Sequence, residues 1–343
     1  MGMERKTRNH SAKHLPSQIR VSQGSAIVLG LLEGKLDVEP TTVYLMTYSS
    51  GKCWANCGFC PQARSSLAKA ELLSRVTWPR FSFVSVLKGI ESASRLLRVK
   101  RVCIQALNYP DVFSDLFSIV KAIKNLSAIP VSVSCQPLNV ENIRLLAVAG
   151  VDRIGIALDA STETLFNQLK GPGASGPYTW SKEWRFLADA IEVFGKGNVS
   201  THLIVGLGES ERDMVWAIQE CVDMGVLPAL FAFTPVRGTI LETHLPPSVN
   251  SYRRVQLARF LMVSGLAHFR DLRFDRAGRI RDFGVKRDSL RSIVRVGMPF
   301  LTSGCPSCNR PFYNEKPSGP IYNYPRDLCM EETAEIWKQL GLE

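Results

Sequence analysis

Long apolar runs are missing from the sequence, which excludes a membrane-spanning helix. The longest such runs, "SAIVLGLL" and "PALFAFTPV", fall well short of the ~18 residues that a span requires. The N-terminal stretch "MGMERKTRNHSAKHLPSQIR" is basic, but no apolar segment of the kind found in secretory signals follows it. We therefore expect a soluble, cytoplasmic protein with no membrane partner.

Dense blocks of basic residues are also absent, although the chain is basic overall. Lys and Arg number 42 against 31 Asp and Glu, which gives a formal net charge of +11. Such a charge steers acidic partners towards a protein without identifying them. Because neither a Lys/Arg block nor a basic strand interleaved with aromatic residues is present, nucleic acid is not the expected partner.

The composition is that of a folded protein with a large core. Of the 343 residues, 45% are hydrophobic and 21% are charged, so the chain does not resemble disordered proteins. A (βα)8 barrel of ~250 residues with extensions would account for this length. We expect an N-terminal leader (1–40, a basic tail plus a short helix), a barrel (41–290) and a C-terminal extension (291–343).

Short apolar runs alternate along the chain with stretches of helical periodicity. The strand candidates are "TVYLMTY", "RVCIQAL", "PVSVSC", "RIGIAL", "VSTHLIVGLG", "PALFAFTPV" and "DLRFDR". Between them lie segments with apolar residues at intervals of three and four, which is typical of helices. This βαβα pattern predicts a parallel sheet, and the number of repeats favours a TIM-type (βα)8 barrel over a doubly wound open sheet.

The nine cysteines favour metal or redox chemistry, since a reducing cytosol keeps thiols free of disulfides. Cys53, Cys57 and Cys60 fall together in "SGKCWANCGFCPQA", just after the first strand candidate. Thiolates suit zinc or iron–sulfur clusters. A structural zinc takes four protein ligands, whereas a cubane cluster held by three cysteines leaves one iron open to a small molecule.

Four further cysteines come from distant parts of the chain. Cys103 and Cys135 lie on the second and third strand candidates, where both could be core residues. Cys305 and Cys308 form a CxxC in a loop rich in glycine and proline, which could be half of a zinc knuckle or a redox pair. Together the four would suffice for a complete 4Fe-4S cluster. Cys221, in "AIQECVDMG", is expected to be a buried helical residue.

The C-x3-C-x2-C spacing after the first strand resembles that of the radical S-adenosylmethionine (SAM) enzymes. Phe59 matches the aromatic residue commonly found between their second and third cysteines. The resemblance implies that Cys53, Cys57 and Cys60 hold a 4Fe-4S cluster whose open iron binds the amino and carboxylate groups of SAM. Electron transfer then yields a 5'-deoxyadenosyl radical that abstracts hydrogen from carbon.

From about residue 41 to residue 285 the chain resembles the biotin synthase branch of that superfamily. The similar segments are "CGFCPQ", "RVCIQALNYPD", "VSVSCQPLNVENIRLLAVAGVDRIGIALDAST", "IVGLGES" and "FTPVRGTILE". The resemblance implies cluster ligands at Cys103 and Cys135 and a carboxylate for the ribose hydroxyls of SAM at Asp159. It also implies cofactor binding at Phe59, Asn108 and Gly206, although the usual glycine-glycine-glutamate pattern near Asn108 is absent.

Two departures concern the auxiliary cluster of biotin synthase. Ser200 takes the place of its third cysteine, and Arg273 of "LRFDRAGR" is the expected counterpart of its unusual arginine ligand. The tail "TSGCPSCNRPFYNEKPSGPIYNYP" supplies two cysteines that biotin synthase lacks. We therefore expect an auxiliary, sulfur-donating cluster held by Cys103, Cys135, Cys305 and Cys308. His202 is expected to be a core histidine.

The tail and the leader "RVSQGSAIVLGLLEGKL" look like those of the archaeal two-component lipoyl synthases. This resemblance implies insertion of sulfur at C6 and C8 of a protein-bound octanoyl chain. The partners it implies are an octanoylated lipoyl-carrier protein or peptide, a second radical SAM subunit and an electron donor such as ferredoxin. Alternatives are a biotin synthase acting on dethiobiotin, a methylthiolating or tRNA-modifying enzyme, and a non-enzymatic zinc- or nucleic-acid-binding protein.

Overall fold

The described part of the molecule, residues 15–136 and 139–342 of a computed structural model, is an α/β fold. It begins with β1 (Gln18–Val21), α1 (Gln23–Val28), β2 (Thr42–Met46), β3 (Leu72–Leu73), β4 (Val76–Thr77) and β5 (Arg80–Ser82). The repeating part contains α2 (Phe83–Arg95), β6 (Arg101–Gln105), α3 (Val112–Leu126), β7 (Val131–Ser134), α4 (Val140–Ala149), β8 (Arg153–Gly155), α5 (Glu163–Leu169), α6 (Trp180–Phe194), β9 (Val199–Val205), α7 (Glu211–Met224), β10 (Leu227–Ala232) and α8 (Val249–Val263). The chain continues with β11 (Arg273–Phe274), β12 (Ile280–Asp282), α9 (Arg287–Val296) and α10 (Met330–Leu340).

The central sheet is rich in parallel strands, as the alternation of strands and helices predicts. Its order is β10-β9-β8-β7-β6-β2-β1-β5, in which β2 and β6 to β10 are parallel and β1 and β5 are antiparallel. Hydrogen bonding among the described residues leaves β10 and β5 as the two edges. The closed (βα)8 barrel therefore stays a prediction.

The structure shows where the predicted leader and the last predicted strand lie. The predicted leader contains the short helix α1 and also the strand β1, which pairs with β2 inside the central sheet. The strand predicted in "DLRFDR" is reduced to β11, which pairs only with β12 in a separate two-stranded sheet. Residues 1–14 of the predicted basic tail lie outside the described residues.

Helix boundaries follow local signals that the sequence carries. Asn139 caps α4 by accepting the Asn142 amide, and Gly150 ends the helix with a φ of 105°, a left-handed conformation that glycine adopts without strain. At α7, Ser210 and Asp213 form a reciprocal capping box. No helix in the described part of the chain is both long and apolar enough to span a membrane.

The parallel strands curve around an internal cavity of ≈ 220 Å³. Register places the Cα atoms of Tyr44, Cys103, Ser132 and Arg153 side by side on β2, β6, β7 and β8. All four line the cavity, together with Ser200 and other residues of β9 and β10.

The segment 301–324, here called the C-terminal strap, lies between β10 and β2. On the β10 side, the Leu230 amide donates to Ser303 Oγ at 2.8 Å and Thr234 Oγ1 donates to the Asn314 carbonyl at 2.8 Å. Just before β2, the Thr41 amide donates to Asn309 Oδ1 at 2.9 Å. The strap thereby brings Cys305 and Cys308 to the wall of the internal cavity.

Candidate active site

Cys53, Cys57 and Cys60 lie together on the loop that follows β2, at the carboxyl end of that strand. The Cys53 amide donates to the Gln62 carbonyl and the Cys60 amide to the Cys57 carbonyl, both at 3.0 Å. All three cysteines line one cavity of ≈ 200 Å³, here called the upper cavity. The loop thus brings these three cysteines to one cavity.

Backbone amides point at the sulfur atoms of this group. The Asn108 amide donates to Cys53 Sγ at 3.1 Å. Burial raises the pKa of the Cys60 thiol to about 12, and amide hydrogen bonds from Gln62 and Ala63 partly offset that effect. Thiolates bound to iron accept such hydrogen bonds, so this donor set fits an iron–sulfur cluster.

Asp159 and Lys170 form a buried ion pair in the same cavity. Lys170 Nζ lies 2.8 Å from Asp159 Oδ2 and also donates to the Ala157 carbonyl. Burial lowers the pKa of Lys170, but the charges of Asp159, Glu183 and Cys57 outweigh burial, so the pKa is raised overall. The lysine is therefore a fixed positive charge near Cys57. Sequence reasoning missed it, although it immediately precedes the loop "GPGASGPY".

Asn108 and Phe59, two of the predicted cofactor-binding residues, line the upper cavity. Asn108 Nδ2 donates to the Tyr178 hydroxyl at 3.1 Å. Phe59 also borders the internal cavity, here called the lower cavity, and so lies between the two spaces. The neighbouring Tyr109 instead donates to Asp115 Oδ2 at 2.6 Å, outside the residues that line either cavity.

Gly206, which the resemblance placed among the cofactor-binding residues, lies apart from the upper and lower cavities. It is not among the residues that line the upper or the lower cavity, but lines a separate cleft with His244 and Pro247. Its φ of +101° and the 2.7 Å approach of Pro247 to any added Cβ explain the glycine as a requirement of the turn after β9.

A second group of three cysteines lies in the lower cavity. Cys103 on β6 is flanked in register by Tyr44 on β2 and Ser132 on β7. Cys308 Sγ lies 3.1 Å from the Tyr44 hydroxyl, and Cys305 Sγ lies 3.3 Å from Ser132 Oγ. Burial raises the pKa of the Cys103 thiol, and Cys305 and Cys308 raise it further. The two strap cysteines and Cys103 therefore line the same cavity.

Cys135 does not join this group, which corrects the predicted ligand set. It lies three positions after Ser132, beyond the end of β7, and strand side chains alternate between the two faces of a sheet. It lines the upper cavity instead and is absent from the lining of the lower one. Only three of the four cysteines predicted for the donor cluster thus come together.

Arg273 is not the counterpart of the biotin synthase arginine, because it lies on the separate strand β11 and is exposed. Arg310 of the strap borders the lower cavity instead, with its guanidinium 3.8 Å from the centre of the Phe231 ring. Ser200, predicted to replace a cysteine, lines the same cavity. The arginine near the cysteines is thus Arg310 of the strap and not Arg273, which the resemblance implied.

The two cavities share a wall, and His202 is part of it. The shared residues are Phe59, Cys60, Leu73, Gln105, Ser134, Asp159 and His202. The His202 ring lies 4.8 Å from that of Phe231. Burial lowers the pKa of His202 to about 4, so the imidazole is neutral near pH 7. His202 borders both cavities, so the expectation of a core histidine is wrong.

The two remaining cysteines, Cys221 and Cys329, lie away from both cavities. Cys221 is 0% exposed on α7, as a core residue should be. Cys329 is exposed at the start of α10. Within residues 15–136 and 139–342, no three Cys, His, Asp or Glu side chains are arranged to bind a single metal ion. This holds for the two cysteine groups as well, so the finding does not separate zinc from an iron–sulfur cluster.

Comparison with known proteins adds a family to this geometry. Residues 47–221 match the Radical SAM superfamily, just over half of the chain. The biotin synthase of Geobacillus kaustophilus is 25% identical over 206 residues, which is 57% of this chain and 57% of that protein. The biotin synthase of Chlamydia pneumoniae is 28% identical over 244 residues, 68% of each chain. The chain spans little more than half the length of the first curated relatives it matches.

Solved structures share the fold at low identity. A methylornithine synthase superposes with a TM-score of 0.51 at 13% identity, covering 71% of this chain and 67% of its own. The FeFe-hydrogenase maturase HydG from Carboxydothermus hydrogenoformans gives a TM-score of 0.51 at 16% identity, covering 71% and 55%. At these identities the similarity concerns the fold alone.

Proposed function

The chain belongs to the radical SAM superfamily, and from this membership we propose that it inserts sulfur at unactivated C–H carbons, with a protein-bound octanoyl chain as substrate. The observation that carries the proposal is the presence of two three-cysteine groups in cavities with a common wall. Cys53, Cys57 and Cys60 line the upper cavity, whereas Cys103, Cys305 and Cys308 line the lower one. A substrate carbon at the shared wall would be within reach of both.

The upper cavity would hold a 4Fe-4S cluster on its three cysteines, with SAM beside it. When bound, these cofactors supply the radical chemistry that removes a hydrogen atom from carbon. Asp159 would accept hydrogen bonds from the ribose diol, and Lys170 Nζ, 2.8 Å from its Oδ2, holds the carboxylate in place by direct pairing. The Asn108 amide fixes Cys53 Sγ, so the backbone after β6 would orient the cluster relative to the shared wall.

The lower cavity would hold the donor cluster and the end of an alkyl chain. Much of its wall is apolar, including Trp78, Ile204, Phe231, Phe233 and Tyr313. Apolar walls with a few placed polar groups are typical of sites for largely hydrophobic ligands. His202, whose pKa burial lowers to about 4, adds no charge to this apolar part of the wall, whereas the cation of Arg310 lies near the cysteines.

The partners of this activity are part of the proposal. The net charge of +11 would attract an acidic carrier protein at a distance. A second radical SAM subunit would supply the other of the two sulfur insertions, and a ferredoxin-like protein would deliver electrons. The biotin synthase relatives favour one further candidate, sulfur insertion into dethiobiotin by the same two groups.

A substrate comparison tests the proposal. The chain, reconstituted with iron and sulfide under anaerobic conditions, is incubated with SAM, dithionite and either an octanoyl-lysine peptide or dethiobiotin. We expect 5'-deoxyadenosine and a sulfur-bearing octanoyl peptide by mass spectrometry, both lost in Cys57→Ala. Biotin as the sole sulfur product would replace the octanoyl substrate with dethiobiotin. Release of 5'-deoxyadenosine without any sulfur product from either compound would refute sulfur insertion into them.

A further inference from the structure

The lower cysteine group is built around one strand residue. Cys103 has Tyr44 as its Cα partner on β2 and Ser132 as its partner on β7, so each neighbour is about 4.8 Å away in the sheet. The strap places one cysteine against each neighbour, Cys308 at Tyr44 and Cys305 at Ser132. Three sulfur atoms therefore surround one patch of the cavity wall.

A fourth cysteine is missing from this patch. Cys135 borders the upper cavity only, and the other sulfur that lines the lower cavity belongs to Cys60 of the first group. We propose that Cys103, Cys305 and Cys308 are the complete cysteine ligand set of a second iron–sulfur cluster, whose remaining iron binds a small sulfur anion such as sulfide. This inference rests on the proposed function, which it deepens by naming the ligands and the bound species.

The chemistry of the surrounding wall identifies that species. Arg310 is 9% exposed, its Nη2 donates to the Leu230 carbonyl at 3.3 Å, and its guanidinium faces the Phe231 ring. The hydroxyl-bearing residues Ser132, Ser134 and Ser200 line the same space. A buried cation with nearby hydroxyl groups suits an anion, and iron–sulfur clusters favour soft sulfur ligands.

The position of the site limits the size of the sulfur anion and places it near the radical site. The cavity of ≈ 220 Å³ must also accommodate the substrate. The strap covers the side between β10 and β2 through Ser303, Asn309 and Asn314. A sulfur anion bound at the open iron would face the wall shared with the radical site, where a substrate carbon would be activated.

Iron counts in cysteine variants test the ligand set. The full chain carrying Cys53→Ala, Cys57→Ala and Cys60→Ala is reconstituted, so that any remaining cluster is the second one. We expect about four irons per chain, lost on adding Cys103→Ala, Cys305→Ala or Cys308→Ala. Adding Cys135→Ala should leave the count unchanged, as should the buried control Cys221→Ala.

The outcomes separate the two proposals. Loss of iron in the Cys135→Ala variant would overturn the three-cysteine set but leave the second cluster, and hence the proposed function, intact. The chain that carries Cys53→Ala, Cys57→Ala and Cys60→Ala is here called the first-site variant. If it binds no iron, the second cluster does not exist and the basis of sulfur donation is lost. Retention of iron after Cys305→Ala and Cys308→Ala would equally overturn the assignment of the strap cysteines.

Native mass spectrometry and electron paramagnetic resonance test the bound species. After treatment with sodium sulfide, the first-site variant should carry one more sulfur than iron, and Arg310→Met, but not Arg310→Lys, should reduce the occupancy of this extra sulfur. Cyanide labelled with ¹³C should broaden the spectrum of the reduced cluster by binding the same iron. Equal sulfur and iron counts with no broadening would overturn the proposal. A changed spectrum in His202→Gln would do so too, because it would assign the fourth position to the imidazole.

Discussion

Lys170 Nζ lies 2.8 Å from Asp159 Oδ2, and the lysine side chain is only 2% exposed. Asp159 itself has a φ of +64°, a left-handed conformation that non-glycine residues rarely adopt. A buried cation thus holds a carboxylate on a strained segment at the edge of the upper cavity. Such strain is most often maintained where a side chain has to be aimed at a ligand.

Replacing the buried lysine tests whether this pair organises the SAM site. Lys170→Met leaves Asp159 buried without its countercharge, which typically costs about 3–5 kcal/mol when one partner of a buried pair is removed. We expect a lower melting temperature and SAM affinity weakened by about tenfold or more, measured by equilibrium dialysis on reconstituted protein. Lys182→Met on the exposed face of α6 is the control. Unchanged SAM affinity in Lys170→Met would contradict a role at the site.

Glu183 should make the apoprotein less stable as the pH rises. Burial raises its pKa to about 7, an effect that Lys170 partly offsets, and among the described residues its Oε2 has no hydrogen-bond partner. The folded state therefore binds the proton more tightly than the unfolded state, whose pKa is ordinary. Stability falls as the pH rises from about 4.5 through 7, by about 3 kcal/mol in total.

Urea unfolding of wild type and Glu183→Gln between pH 4.5 and pH 8 measures this contribution. The wild type should lose about 3 kcal/mol more than the variant over that range. Comparing the two proteins is necessary because Glu315, whose pKa burial likewise raises to about 7, adds a similar slope to both. If the free energy of unfolding depends on pH equally in the two proteins, the pKa of Glu183 is not raised in the folded state.

His202 should have the opposite effect on the acid side. Burial lowers its pKa to about 4, so the folded state resists the protonation that the unfolded state accepts near pH 6.5. Stability is then lost as the pH falls through the unfolded pKa, by about 2 kcal/mol between pH 7.5 and pH 5. His202→Gln should lack this loss in the same unfolding experiment, and a difference that does not vary with pH would refute a neutral buried imidazole.

Asn309 is predicted to hold the strap against the start of β2. Its side chain accepts hydrogen bonds from the Thr41 amide and hydroxyl at 2.9 and 3.0 Å and donates to the Glu39 carbonyl at 2.9 Å. Because each bond contributes about 1 kcal/mol, Asn309→Ala should speed alkylation of Cys305 and Cys308 in the apoprotein by about fivefold or more. Peptide mass spectrometry gives the rates, with Asn250→Ala on α8 as control. Equal rates would mean that other contacts hold the strap.

Local patterns were enough to predict that three cysteines lie together after the first strand of the parallel array, and to predict the parallel-rich sheet. Cys53, Cys57 and Cys60 are fixed by one short loop, so their spacing alone indicates a common ligand. The turn at Gly150 and the helix before it follow from capping residues and apolar periodicity, which act within a few residues. The alternation of strands with helices similarly predicted the parallel-rich sheet.

Features that depend on distant pairing could not be predicted from the sequence in the same way. Whether Cys135 joins Cys103 depends on the end of β7 and the phase of the strand, and a shift of one residue reverses the direction of a side chain. Lys170 resembles a surface lysine until the burial of its loop is known. Arg310 lies near the lower-cavity cysteines and Arg273 does not, because tertiary contacts set the path of the strap.

The C-terminal strap also sets the order in which this protein can be completed. Two of the three proposed ligands of the second cluster, Cys305 and Cys308, are synthesised more than 240 residues after Cys53, Cys57 and Cys60. A nascent chain could therefore present the first cluster site long before the second one exists. The complete ligand set of the lower cavity can bind iron only after Cys308 has been synthesised, and a chain truncated before Cys305 would retain the first cluster site without the second.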